Sequence, residues 1–317
     1  MSRIHEALKK AELERGEAPK APVAGRPEPA LADELMAPLA PAAAEPLRTR
    51  ASEIVGAAFE PLTLDALRQQ HPASEWRPNS RAVLFADPAG ALHPSGAEEF
   101  RTLRSRLYHI REKQPLQTVL VTSALPSEGK TFVTLNLARA IARQQQRSVL
   151  VIDADLRISR VHEGVGASPA PGLSDYLKGE VDALEIIQRG PEDNFFIIAG
   201  GSPNPNPVEL LGTGRLRALI NRFTPVFDWI ILDSPPAVFL SDASLLAKVC
   251  DGVLVVVQSG VTPFDTAQKA CREFAENQLV GVVLNRVPSG SSYGYEYYYG
   301  QSHGAGQQSA KNGKSRH

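Results

Sequence analysis

Six short runs in the chain are apolar at nearly every position: TVLVTS (118–123), SVLVID (148–153), NFFIIAG (194–200), DWIILD (228–233), GVLVVVQ (252–258) and LVGVVLN (279–285). Helix-length amphipathic segments separate them. Strands that are apolar on both faces and linked by helices belong to a parallel sheet covered on both sides. The pattern therefore predicts a doubly wound, mainly parallel α/β domain, placed at residues 81–290. Ahead of the first run, EEFRTLRSRL (98–107) predicts a helix. At about 100° per residue, Phe100, Leu103, Leu107 and Ile110 share one stripe, and Glu98, Arg101 and Arg104 occupy the other side.

The pattern stops on either side of this region. Within residues 1–15, Ser2 can cap a short amphipathic helix whose Ile4, Leu8 and Ala11 fall at i, i+4 and i+7. So short a helix is marginal alone and either frays or docks. Residues 16–80 are rich in Pro and Ala and poor in large apolar side chains, which predicts a flexible linker. Residues 291–317 read as a disordered tail, yet they hold five of the chain's seven tyrosines: Tyr293, Tyr295, Tyr297, Tyr298 and Tyr299.

Composition narrows the function classes. The 317 residues are 43% hydrophobic, enough for a substantial core. A formal net charge of −1 gives no general attraction to nucleic acid or anionic lipid, so no nucleic-acid partner is expected. The two cysteines, Cys250 and Cys271, lack metal-ligand spacing and read as core thiols of a reduced protein. No run of about 18 apolar residues occurs. The opening MSRIHEALKKAELERG has no secretory core, so the expected location is cytoplasmic.

The chemistry begins where the first strand enters SALPSEGKT (123–131) and then a helix. Strand, loop and helix in this order form a phosphate-binding loop: its backbone N–H groups and the helix start face phosphate, with Pro126, Ser127, Glu128 and Gly129 lining the nucleotide, Lys130 reaches the β and γ oxygens, and Thr131 offers a hydroxyl to magnesium. Ala124 replaces the first glycine of the usual pattern, which a tight loop tolerates only if its φ stays negative.

Two further strands, VLVIDADLR (149–157) and WIILDSPP (229–236), deliver acids at their carboxyl ends, where open α/β sheets bind ligands. Asp153, Asp155 and Asp233 should thus gather at the phosphate loop. Three carboxylates beside a triphosphate require a cation, which implies Mg2+ held by Thr131 with Asp155 or Asp233. Asp153 is the favoured partner of an acceptor's proton and Asp155 the acid nearer the metal, with the reverse assignment open. Arg157 has two open roles, binding phosphate or pairing with an acid.

Together these motifs, with GLSDYLKGE, NPVELL, SDA, GVVLN and the tyrosine cluster, resemble the bacterial protein-tyrosine kinases of capsule and exopolysaccharide synthesis, from about His93 to Tyr299. The opening SRIHEALKKAE is similar to the start of an exosortase-associated subgroup. Partitioning-type ATPases share the fold but carry a lysine where this chain has Leu125. The resemblance implies a P-loop fold of the partitioning-ATPase-like branch and ATP- and Mg2+-dependent autophosphorylation of Tyr293, Tyr295, Tyr297, Tyr298 and Tyr299 between subunits. It further implies adenine contact by Asn285 and a ring-like homo-oligomer through Glu98, Arg101 and Arg104. A membrane activator of the chain-length-determinant type and an opposing tyrosine phosphatase are the implied partners, the activator recruiting the chain to the membrane's inner face. Two other readings stay open: an ATPase switch without kinase activity, and a nucleotide-binding scaffold with an aromatic strand.

Overall fold

The computed structural model describes residues 62–79, 94–144 and 146–288. The expected helix at 1–15, most of the linker and all five clustered tyrosines lie outside them.

All six apolar runs are strands. In chain order the elements are α1 (Leu64–Gln70), α2 (Pro94–Arg111), β1 (Thr118–Ser123), α3 (Lys130–Ala142), β2 (Val149–Asp153), α4 (Val161–Val165), α5 (Leu173–Lys178), β3 (Ile187–Arg189), β4 (Phe195–Ile198), α6 (Pro207–Leu211), α7 (Arg215–Phe223), β5 (Trp229–Asp233), α8 (Asp242–Ala247), β6 (Gly252–Gln258), α9 (Phe264–Arg272) and β7 (Leu279–Asn285). The strands form one sheet in the order β3-β4-β2-β5-β1-β6-β7. All pairings are parallel except that of β3 with β4. This short antiparallel strand was not predicted, because three residues, IQR, give no periodic signal.

Alternation along the strands builds two cores. Val119 and Val121 of β1, Val149 and Val151 of β2 and Ile231 of β5 face the layer made by α2 and α3. Leu120, Leu150, Ile152, Ile230 and Leu232 face the opposite layer, with residues of α5, α7 and α8. Successive strand side chains point to opposite faces, so a run apolar throughout supplies both layers. The predicted α2 stripe holds: Phe100 and Leu107 are buried, and Leu103 and Ile110 pack beside them.

Two expectations are corrected. Residues 62–79 are packed against the domain, whose start therefore lies before residue 81 and within the stretch read as linker. The Thr63 hydroxyl accepts from the Ala66 N–H and caps α1, and Leu67 is buried in the core. Trp76 meets Phe195 edge to face at 5.7 Å, and the Asn79 N–H donates to the Gly164 carbonyl. Leu67 and Trp76, nine residues apart, make no repeat, yet each fills a socket; burying Leu67 alone contributes about 1.5–3 kcal/mol. The second correction concerns β7. It is an edge strand, and its Val282 and Leu284 remain 51% and 56% exposed, whereas the pattern implied cover on both faces.

Candidate active site

The sheet order sets β1 between β5 and β6, with β2 beyond β5. The carboxyl ends of β1, β2 and β5 consequently open at one place, and Asp153 and Asp233 are register partners across the β2–β5 pair.

After β1 the chain turns through 124–129 into α3. Ala124 is not among the positive-φ residues, so the alanine is accommodated; the left-handed positions are Ser127 (φ 64°) and Gly129 (φ 93°). Gly129 is required twice over: by its φ, and because a Cβ there would lie 2.2 Å from the Asn285 amide nitrogen. Pro126 and Ser127 are exposed at the mouth, while Glu128 is buried.

Lys130 Nζ lies 2.9 Å from Asp155 Oδ2. Burial opposes its charge, but Asp233 and Asp155 outweigh burial and hold its pKa above the ordinary lysine value. The Thr131 hydroxyl donates to Asp233 Oδ2 at 2.5 Å, and the Thr134 hydroxyl reaches Asp233 Oδ1 at 3.2 Å. Burial raises the pKa of Asp233, against the pull of Lys130 and the Thr131 hydrogen bond.

The two acids of IDADLR differ sharply. Asp153 is fully buried, and its Oδ2 accepts from the Ser159 hydroxyl (2.6 Å) and from the N–H groups of Arg160 and Val161 (both 2.9 Å). Its Oδ1 accepts from the Asp155 N–H at 3.2 Å. Burial, then the neighbouring Asp233 charge, push its pKa up to about 7. Asp155 instead spends one oxygen on the Ile158 N–H at 3.1 Å and turns the other to Lys130. Arg157 pairs with an acid: its guanidinium meets both oxygens of buried Asp242, at 2.8 and 3.2 Å. The sequence reading missed Thr134, Ser159 and Asp242; SDA (241–243) was the available signal for the last of them.

The structure thus brings together Lys130, Thr131, Asp153, Asp155, Asp233 and, through the amide of Asn285 on the Glu128 carbonyl (2.8 Å), the end of β7. Glu98, Arg101 and Arg104 lie on α2. Glu98 and Arg101 pair with each other, and the Arg104 guanidinium donates to the Ala140 carbonyl at the end of α3. Cys250 is buried, and burial raises its pKa, as expected of a core thiol.

A magnesium nucleotide fits this donor set. Thr131 and Asp233 are hard oxygen donors already side by side, and among the described residues no three His, Cys, Asp or Glu side chains form a cage of their own. Magnesium keeps several waters and shares its remaining positions between one or two carboxylates and phosphate. A cavity of about 500 Å3 lined by Gln117, Arg217, Lys248 and Asp251 lies at the opposite, amino ends of the strands, away from these groups.

Residues 119–299 match the CobQ/CobB/MinD/ParA nucleotide binding domain family. The chain is 33% identical over 203 residues to "Tyrosine-protein kinase YwqD" of Bacillus subtilis (strain 168), covering 63% of this chain and 85% of that protein. It is 32% identical over 223 residues to "Putative tyrosine-protein kinase AmsA" of Erwinia amylovora, covering 69% of this chain but 30% of that longer relative. The solved kinase domain of the Escherichia coli tyrosine kinase ETK superposes with a TM-score of 0.61 at 32% identity, covering 66% of this chain and 81% of that one. With its phosphate loop and acids arranged as described, the chain belongs to the CobQ/CobB/MinD/ParA nucleotide binding domain family and, within it, to the bacterial tyrosine-protein kinases.

Proposed function

We propose that this kinase is an ATP- and magnesium-dependent autokinase whose acceptors are Tyr293, Tyr295, Tyr297, Tyr298 and Tyr299 of a neighbouring subunit. The observation that carries the reading is the Lys130–Asp155 contact at 2.9 Å beside the Thr131–Asp233 pair. A charged lysine and the carboxylate it pairs with stand together beside the phosphate loop.

A tyrosine hydroxyl, with a pKa near 10, is a weak nucleophile at neutral pH. Phosphoryl transfer has a loose transition state, so positioning and charge neutralisation supply most of the acceleration. The tyrosine oxygen bonds to the γ-phosphorus, the bond to the β–γ bridging oxygen breaks, and ADP departs. Lys130 leaves Asp155 for the phosphate oxygens, and the freed Asp155 carboxylate takes the tyrosine proton. Asp153, whose oxygens already receive four protein donors, anchors the 154–161 loop; this reverses the assignment favoured from the sequence. Bound magnesium would neutralise phosphate charge, with Thr131 and Asp233 as its protein ligands.

Eight to fourteen residues separate Asn285 from the clustered tyrosines. Extended at about 3.3–3.6 Å each, they span roughly 25–50 Å, enough to enter a second subunit. The subunit contact is assigned to the α2 surface with Glu98, Arg101 and Arg104. Arg101 is the cleaner test of it, since Arg104 also ties α2 to α3. Five phosphotyrosines would add a charge of roughly −8 to −10 to one tail, so the modified protein should fall into smaller species. The role in exopolysaccharide or capsule chain synthesis or export, a membrane activator of the chain-length-determinant type and an antagonist phosphatase follow from the family kinship. Among the described residues, no helix is long and apolar enough to cross a membrane.

Radiolabelled ATP with magnesium should label the tail. Label that persists in Lys130→Ala, or in a chain with all five tyrosines changed to Phe, defeats the proposal. Phosphate release with an unlabelled tail would identify the ATPase switch instead.

A further inference from the structure

Glu128 is the one loop residue whose chemistry runs against the site. It places a buried carboxylate in a loop built to receive phosphate, and it is 3% exposed. Its geometry resolves the conflict, because the carboxylate points away from the mouth, back onto its own loop and across to the end of β6 and the turn that follows. Oε2 accepts from the Leu125 N–H at 2.6 Å, closing the loop across three residues. Oε1 accepts from the N–H of Gln258, the last residue of β6, at 3.3 Å and from the hydroxyl of Thr262 in the turn that follows. The Glu128 carbonyl accepts from Asn285 Nδ2 at 2.8 Å, and the Asn285 carbonyl accepts from the Ser259 N–H at 2.8 Å. Gln258 Oε1 in turn accepts from Arg286 at 3.0 Å.

We propose that Glu128 is a positioning residue. Through Leu125 and Thr262 it fixes the phosphate loop from behind, so that the loop's N–H groups and Lys130 are set before nucleotide arrives. The loop gains from such a brace because glycine is missing at two of its turning points. Its first position is Ala124 in place of glycine, and of its two left-handed positions, Ser127 and Gly129, the first carries a side chain. A carboxylate taking backbone N–H and hydroxyl donors makes charge-assisted hydrogen bonds, roughly twice as strong as neutral ones. It also spends its own charge on protein donors, which leaves less of it to repel phosphate. The inference rests on the nucleotide-site reading only for its affinity readout; the exchange readout tests the brace in nucleotide-free protein.

The experiment uses full-length wild type, Glu128→Ala, Glu128→Gln, Thr262→Val and the Glu128→Ala/Thr262→Val double variant. Amide hydrogen exchange at 124–129 is measured without nucleotide, and affinity for magnesium-ATP by calorimetry. Glu128→Ala should speed exchange in the loop and weaken nucleotide binding by about 10- to 100-fold, the scale of one or two lost hydrogen bonds to a charged group. Thr262→Val, outside the phosphate loop, should weaken it by about 3- to 10-fold. Glu128→Gln should recover part of the loss, since its amide can serve Thr262 while its oxygen serves Leu125. The double variant should be no worse than Glu128→Ala. In tail labelling the loss should fall on the KM for ATP and spare kcat. Unchanged loop exchange in both single variants, additive effects in the double, or a loss confined to thermal stability would each overturn the proposal. Should Glu128→Ala fail to fold, Glu128→Gln and Thr262→Val with their own double decide it by the same criteria. Should wild type fail to bind nucleotide, the kinase reading falls while loop exchange still judges the brace.

Discussion

The run DWIILD begins and ends in aspartate, and the two ends behave in opposite ways. Asp228, just before β5, accepts from the Ser148 N–H (2.8 Å), the Ser148 hydroxyl (3.1 Å) and Arg147 (2.9 Å), stitching β5 to the start of β2. Burial works against its charge, but the Ser148 and Arg147 bonds prevail and hold its pKa below the ordinary value. Asp233, at the other end, receives the hydroxyls of Thr131 and Thr134 and stands in register with Asp153. Burial lifts its pKa. Backbone N–H donors are fixed, whereas hydroxyl donors can rotate toward another ligand. One end of the strand therefore has its charge spent on the fold, and the other holds charge ready for chemistry.

Asp233→Asn should lower tail labelling by at least about 100-fold, the scale of losing one electrostatic stabiliser of a transition state. Its thermal midpoint without nucleotide should be equal to or above that of wild type, because a buried carboxylate has been replaced by a neutral isostere. A fall in the midpoint would mean that Asp233 also serves the fold.

Asp228→Ala should do the reverse. Leaving the Ser148 donors unpaired costs about 1–3 kcal/mol in denaturant unfolding, with little added by the exposed Arg147. Labelling per folded molecule should stay within about twofold of wild type, as for a surface structural change. A larger drop would connect the two ends of β5.

Acidity sharpens the same contrast. A depressed native pKa, as at Asp228, gives stability that is present above the unfolded value of 3.8 and is lost as pH falls through the native value. At Asp153 the native pKa of about 7 exceeds the unfolded 3.8, so the native state holds a proton that the unfolded state has released. Stability from this group must then decline as pH rises across that window. In nucleotide-free unfolding curves, Asp153→Asn should flatten the decline between about pH 5 and pH 7, and Asp228→Asn should flatten the loss on the acid side of about pH 4. Identical pH profiles for the two variants would remove the distinction.

The smallest effect is expected at Ser127→Gly. Relief of a left-handed φ is offset by greater freedom in the unfolded chain, so the unfolding free energy should change by less than about 0.5 kcal/mol. A gain well beyond that would show that Ser127 stores strain in the loop.

Six of the seven strands were legible because their runs are apolar at nearly every position and need no knowledge of their neighbours to be recognised. Lys130, Thr131, Asp153, Asp155 and Asp233 were legible for a related reason: a loop after a strand, and acids at strand ends, fall at one edge in any parallel sheet. Residues that work singly were harder to see. Leu67 and Trp76 sit in a stretch rich in proline and polar residues, and only the sockets that receive them reveal that 62–79 belong to the domain. Asp242 reads as an ordinary helix-start acid until Arg157 is found on it. Likewise, Glu128 reads as one more loop residue until its carboxylate is seen facing Thr262, 134 positions away.

Sequence by itself determined the fold class, the order of its strands along the chain and the kind of chemistry, since periodicity and local motif are properties of neighbouring residues. Tertiary structure alone decided which acid is held by turn donors and which by the phosphate-loop lysine. Asp153 and Asp155 are two residues apart in one motif, and their difference comes from donors on the 159–161 turn and from Lys130 on another element. A carboxylate's role depends on the donors and charges that reach it, and those arrive by folding.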